Sequence, residues 1–88
     1  MKIVSGLILR ELAGETIAVP TGEAAVQLSG LISLNASGKF LFELLQRDMS
    51  EDQLVDAFLQ AYEIDEETAR ADIREYVAQF RDSGLIIP

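Results

Sequence analysis

Leu31-Ile32-Ser33-Leu34-Asn35-Ala36-Ser37-Gly38-Lys39-Phe40-Leu41 decides the fold, because a short strand stops there and a helix begins. Gly30-Leu31-Ile32-Ser33-Leu34 reads as a strand short enough to be a sheet edge, and Gly30 allows another chain to come close. Asn35 is a good N-cap, because its side-chain oxygen can accept from the unpaired N–H groups of the next turn. The helix it starts runs from about Ala36 to Arg47, with Phe40, Leu41, Leu44 and Leu45 on one apolar face. Phe42 falls off that stripe and marks a possible second contact surface.

Two further helices follow. Ser50 and Gln53 have the capping-box spacing, and Leu54, Val55, Phe58, Leu59 and Tyr62 continue the second helix on one face. Asp65 caps the third, Glu66 and Glu67 sit where its N-terminal dipole favours negative charge, and Gly84 is its stop. That helix spans about Glu66 to Ser83, after which Leu85-Ile86-Ile87 reads as an extended tail returning to the core.

Upstream, Leu7–Leu12 and Thr16–Val19 flank Ala13-Gly14 and read as a β-hairpin. Pro20-Thr21-Gly22-Glu23 breaks the second strand, and a loop continues to about Gln27. The expectation is an α+β fold, a three-stranded antiparallel β-sheet followed by three helices in a winged helix-turn-helix-like arrangement. Residues 1–88 are expected to form one domain, since 88 residues with 49% apolar content lie near the lower size of a self-supporting core.

The chain has no Cys and no His, which excludes disulfides, the usual zinc sites, thiol nucleophiles and His-based acid–base chemistry. Its pattern points to a binding module without catalytic residues, metal or cofactor. Fifteen acidic against seven basic side chains give a net charge of -8, which repels a phosphate backbone. No run approaches the ~20 apolar residues of a membrane span, and Met1–Gly6 is too short and broken for a signal peptide. The expected location is cytoplasmic, with neither nucleic acid nor membrane as partner.

The third helix segregates its charge. At 100° per residue, Ala69, Ile73, Tyr76, Val77 and Phe80 form one stripe, and Arg70, Arg74 and Arg81 fall within about 40° of one another beside it. Asp72, Glu75 and Asp82 lie across the helix. The ordinary reading of the arginines is a solvated face with a Glu66–Arg70 i,i+4 pair. The functional reading is a groove that takes an acidic or amphipathic peptide, made by this strip and the neighbouring edge strand through β-augmentation.

Leu31-Ile32-Ser33-Leu34-Asn35, then Phe40-Leu41-Phe42-Glu43-Leu44-Leu45, Ser50-Glu51-Asp52-Gln53-Leu54, Tyr62, Ile64-Asp65 and Ser83-Gly84-Leu85-Ile86 together closely resemble the PqqD-like family of precursor-peptide (RiPP) recognition elements. Leu9–Gly14 and Val19-Pro20 match as well. The resemblance implies a winged-helix arrangement that binds the leader segment of a ribosomally synthesised precursor peptide. It also implies that the domain presents this leader to a separate enzyme: a radical SAM protein, a leader peptidase or a cyclase. In such domains the leader is taken as a further strand against the third β-strand, beside the third helix. Carried over by position, this implicates Leu31, Ile32, Ser33 and Leu34 on the strand with Arg70, Arg74, Val77 and Arg81 on the helix.

Three other readings compete. A winged-helix DNA-binding regulator would use the third helix and its arginines to read guanines, but the net charge and the lack of a basic wing oppose it. An acyl carrier would need its modified serine to begin a helix near mid-chain, whereas Ser83 closes the last one. An enzyme would need paired carboxylates in a pocket, and Glu11 with Glu15 or Glu66 with Glu67 sit at a hairpin turn and a helix start.

Overall fold

Ala13 and Gly14 both take positive φ, 51° and 81°, the backbone of a two-residue type I′ turn whose twist matches that of the strands it joins. In the computed structural model, which describes residues 1–22 and 32–87, this turn links β2 (Leu7–Leu12) to β3 (Glu15–Pro20). Strand β3 then pairs on its other side with β4 (Ile32–Leu34), giving an antiparallel sheet in the order β2-β3-β4. The register sets Thr16, Ile17 and Ala18 opposite Leu34, Ser33 and Ile32. Gly30, Leu31 and the loop expected up to Gln27 lie outside the described residues.

Alternation assigns the faces. Ala18 and Leu34 are buried and Ile32 is half-buried against the core, while Ser33, Ile8, Arg10 and Leu12 are exposed on the opposite face. The helices cover the inner face. They are α1 (Ala36–Leu44), α2 (Glu51–Ala61) and α3 (Glu66–Asp82). Each begins as its sequence requires: Asn35 Oδ1 accepts from the Gly38 amide at 2.8 Å, and Asp65 Oδ1 accepts from the Thr68 amide at 2.8 Å. At α2 the capping box is complete, with Ser50 Oγ accepting from Gln53 at 3.2 Å and Gln53 Oε1 accepting from Ser50 at 2.9 Å.

Helix α3 ends in a Schellman motif. Gly84 turns to φ 79°, the Leu85 amide donates to Phe80 at 2.8 Å, and the Gly84 amide donates to Arg81 at 3.0 Å. Leu85 has no exposed surface and Phe80 is 2% exposed, so the motif also seals the core. The chain then forms β5 (Ile86–Ile87), which pairs antiparallel with β1 (Lys2–Ile3). The tail therefore returns to the core as expected, but as half of a two-stranded ribbon.

The N-terminal segment also closes off the end of α1. The Leu45 carbonyl accepts from the Ile3 amide at 2.8 Å, and the Met49 amide donates to the Met1 carbonyl at 2.9 Å. The α-helical ladder has already tightened by then, with the Gln46 and Arg47 amides donating to Glu43 and Leu44, three residues back, at 3.4 and 3.5 Å. The helix ends at Leu44, not Arg47. Phe42 is likewise 3% exposed and belongs to the core instead of forming a second surface. It stands about 160° around the helix from Phe40, whose ring meets Phe58 at 5.3 Å and Tyr62 at 5.7 Å. Both sides of α1 are covered, which widens its buried arc beyond one stripe.

Among the described residues this is the expected α+β arrangement of a three-stranded antiparallel sheet with three helices. Ala13 is the one described non-glycine residue at positive φ. Ala13→Asn, which tolerates that region far better and leads to the favoured Asn-Gly turn, is expected to stabilise the protein by about 1 kcal/mol in chemical denaturation. No gain would mean that the turn relaxes at no cost.

Candidate functional site

Strand β4 is paired on one side only, by β3, so among the described residues its other edge is open. Along that edge runs α3, and between the two lies a groove of about 430 Å³. Ile32, Ser33, Leu34, Asn35 and Ser37 form one wall, and Asp72, Glu75, Tyr76, Gln79, Phe80 and Ser83 form the other. Leu34 and Phe80 are buried and make an apolar floor, while Ser33, Asp72, Glu75 and Gln79 are exposed and make a polar rim.

One residue ties the two walls of this groove together. Asn35 Oδ1, already accepting from the Gly38 amide, also accepts from the Tyr76 hydroxyl at 2.7 Å. The carbonyl oxygen has two lone pairs and both are used. The same side chain therefore starts α1 and ties α3 to the end of β4. Gly38 fits closely beside it: a Cβ there would stand 3.3 Å from Asn35 Oδ1, a tight contact, and 3.5 Å from the Tyr76 ring, an ordinary one.

The sequence-derived site residues separate into three groups. Ile32, Ser33 and Leu34 line the groove, and Leu31 lies outside the described residues. Val77 is 7% exposed and packs in the core. Arg70 and Arg74 do not reach the groove; both point at the first turn of α2. Arg74 grips Glu51 with two hydrogen bonds, Nε at 2.8 Å and Nη2 at 3.1 Å, and Arg70 Nη1 reaches the same carboxylate at 2.7 Å. Arg70 further bonds Asp52 at 3.0 Å and Glu66 at 3.2 Å. Arg81 is exposed in the last turn of α3, where a cation complements the helix dipole.

The structure thus turns the other charged face of α3 towards the strand. Asp72, Glu75, Tyr76, Gln79 and Ser83 recur at spacings of three and four, which places them on one side of a helix. That periodicity was available in the sequence, as were the acidic Glu51 and Asp52 at the start of α2. What the sequence did not contain was the side on which each neighbour packs.

The fork on Glu51 has an electrostatic consequence. Hydrogen bonds from Arg74 and then Arg70 hold its carboxyl at about 2, down from 4.5, and Glu51 in turn raises both guanidinium groups. A carboxylate whose folded pKa is depressed stabilises the fold above its unfolded pKa, and that stabilisation is lost as pH falls through the folded value. Stability from Glu51 is therefore complete above pH 4.5 and disappears towards pH 2. Glu51→Gln is expected to lower the melting temperature at pH 7, with the gap to wild type closing between these two values. A gap that stays constant through thermal melts over that range would show that the charge on Glu51 contributes nothing.

The sequence model of the family described as coenzyme PQQ synthesis protein D (PqqD) matches residues 20–86. Among solved structures, one described as TbiB1 in complex with the TbiA(beta) leader peptide has a similar fold, with a TM-score of 0.73 at 21% sequence identity. The similarity covers 97% of this chain and 93% of that one. No curated protein matches. With the match running from the last residue of β3 through α3 to β5, and so across both walls of the groove, the chain belongs to the PqqD family.

Proposed function

We propose that this protein binds the leader segment of a ribosomally synthesised precursor peptide and presents it to a separate modifying enzyme, with residues 1–88 acting as one recognition domain. The leader adds as a strand to the open edge of β4 and lies in the groove beside α3. The observation that carries this reading is the unpaired edge of β4 standing over a groove with an apolar floor and a polar rim. Backbone hydrogen bonds along such an edge supply affinity for any extended segment, and side-chain pockets supply selectivity.

Dimensions support it. From Asp72 to Ser83 the helix wall extends about 16 Å, the length of about five residues of extended chain. Membership of the PqqD family and the similarity to a fold solved with a leader peptide in place support the partner class. The domain supplies binding and no chemistry of its own; a radical SAM protein, leader peptidase or cyclase performs the modification, in the cytoplasm.

The competing DNA-binding reading loses its main argument. Arg70 and Arg74 are engaged by Glu51, Asp52 and Glu66, and the groove-side face of α3 carries Asp72 and Glu75. A recognition helix presented that way would bring carboxylates to phosphate.

The test is a titration of isotope-labelled protein with the leader half of a small precursor peptide encoded beside its gene. Saturable amide shifts are expected over Ile32–Leu34 and Asp72–Ser83. Replacing alternate leader amides with N-methyl amides should weaken binding by about tenfold or more, because the ladder loses its donors. Absence of shifts at high peptide excess would reject leader binding, whereas full affinity of the N-methylated peptide would reject strand addition alone.

A further inference from the structure

The charge of the groove is not balanced within it. Asp72 and Glu75 line its helical wall, no Lys or Arg lines it, and neither acid forms an ion pair among the described residues. Arg70 and Arg74 bond the first turn of α2, Lys39 lies 3.6 Å from Glu11, and Arg81, in the last turn of α3, does not line the groove. The far end of the groove, at Ser83, adjoins the C-terminal carbonyls of α3, the negative pole of the helix. Asp72 and Glu75 therefore give this wall a negative potential that Arg81 offsets only at its Ser83 end, within a protein whose net charge is already -8.

From this asymmetry we infer that the groove selects a leader segment carrying a lysine or arginine two residues from an apolar side chain. The inference rests on the strand-addition reading above. Side chains two apart on an extended chain share a face and stand about 6.7 Å apart. Asp72 and Tyr76, one helical turn apart, are offset by about 6 Å along α3. An apolar side chain settled over Tyr76 and Phe80 brings its cationic neighbour to Asp72 and Glu75. The apolar residue anchors the strand, and the cation fixes its register, since a slip by one residue would turn the charge to the opposite face of the sheet. Long-range attraction to the acidic wall also speeds encounter, an effect that salt weakens.

The test measures affinity by fluorescence polarisation for the full chain and two forms of the leader half of the neighbouring precursor peptide, the natural one and one with its Lys and Arg residues replaced by Glu. Wild-type protein should bind the natural form about tenfold or more tightly than the substituted one, and the ratio should shrink at high salt. The double variant Asp72→Lys/Glu75→Lys, with both positions exposed and its fold checked by circular dichroism, should reverse the preference. Equal binding of both peptides to wild type, with amide shifts still at Ile32–Leu34, would overturn the charge selection and leave leader binding standing. Failure of both peptides to bind would instead remove the leader reading and this inference with it. The peptide-side comparison decides the matter even if the double variant does not fold.

Discussion

The two walls of the groove meet at the two hydrogen bonds accepted by Asn35 Oδ1. The bond from Gly38 ends the strand and starts the helix. The bond from Tyr76 fixes where α3 stands relative to that strand. The junction brings together a cap, a glycine three residues on, where a Cβ would stand 3.3 Å from the cap oxygen, and a tyrosine forty-one residues away. A cap of this type contributes about 1 kcal/mol, but its geometric effect is larger than its energetic one. It joins the end of β4 to α3 at one end of the groove that lies between them.

Helix α3 faces three neighbours and assigns each a different chemistry. Ala69, Ile73, Val77 and Phe80 enter the core; Arg70 and Arg74 hold α2 through Glu51; Asp72, Glu75 and Gln79 line the groove. The arginine fork lies at the first turn of α2, where Glu51 also complements the positive end of the helix dipole. One carboxylate thus serves two guanidinium groups and a helix terminus. The same arrangement pairs Arg70 and Arg74 with carboxylates of α2, on the side of α3 away from Asp72 and Glu75.

The elements that local rules govern were legible in the sequence. Asn35, Ser50 and Asp65 cap helices as their residue types and spacings dictate, Gly84 stops α3, and Ala13-Gly14 turns the hairpin. What local rules do not govern was not legible. Two-residue strands have no periodicity, so the pairing of Lys2–Ile3 with Ile86–Ile87 could not be read, nor could the bonds of the N-terminal segment at the end of α1. Phe42 failed for a related reason: a helix covered on two sides buries residues outside its main stripe. The strand wall of the groove was legible from Ile32 to Leu34. The helix wall was not, because a helical wheel gives the angle between the arginines and the acids but not which of them α2 will cover. Glu51 decided that, through contacts separated by 19 and 23 residues.

An open strand edge is a hazard to its owner, since it pairs as readily with a second copy as with a ligand. The features that shape this groove also limit that hazard. Strand β4 is short, Ser33 is exposed on its outer face, and the space beside it is walled by Asp72 and Glu75 in a chain of net charge -8. A second copy approaching that edge meets like charge at close range, which costs far more than a mismatched apolar contact. A neutral or cationic extended segment meets no such barrier. On the strand-addition reading, the acidic wall serves the free protein as much as the bound one, because it disfavours pairing of the edge with a second copy.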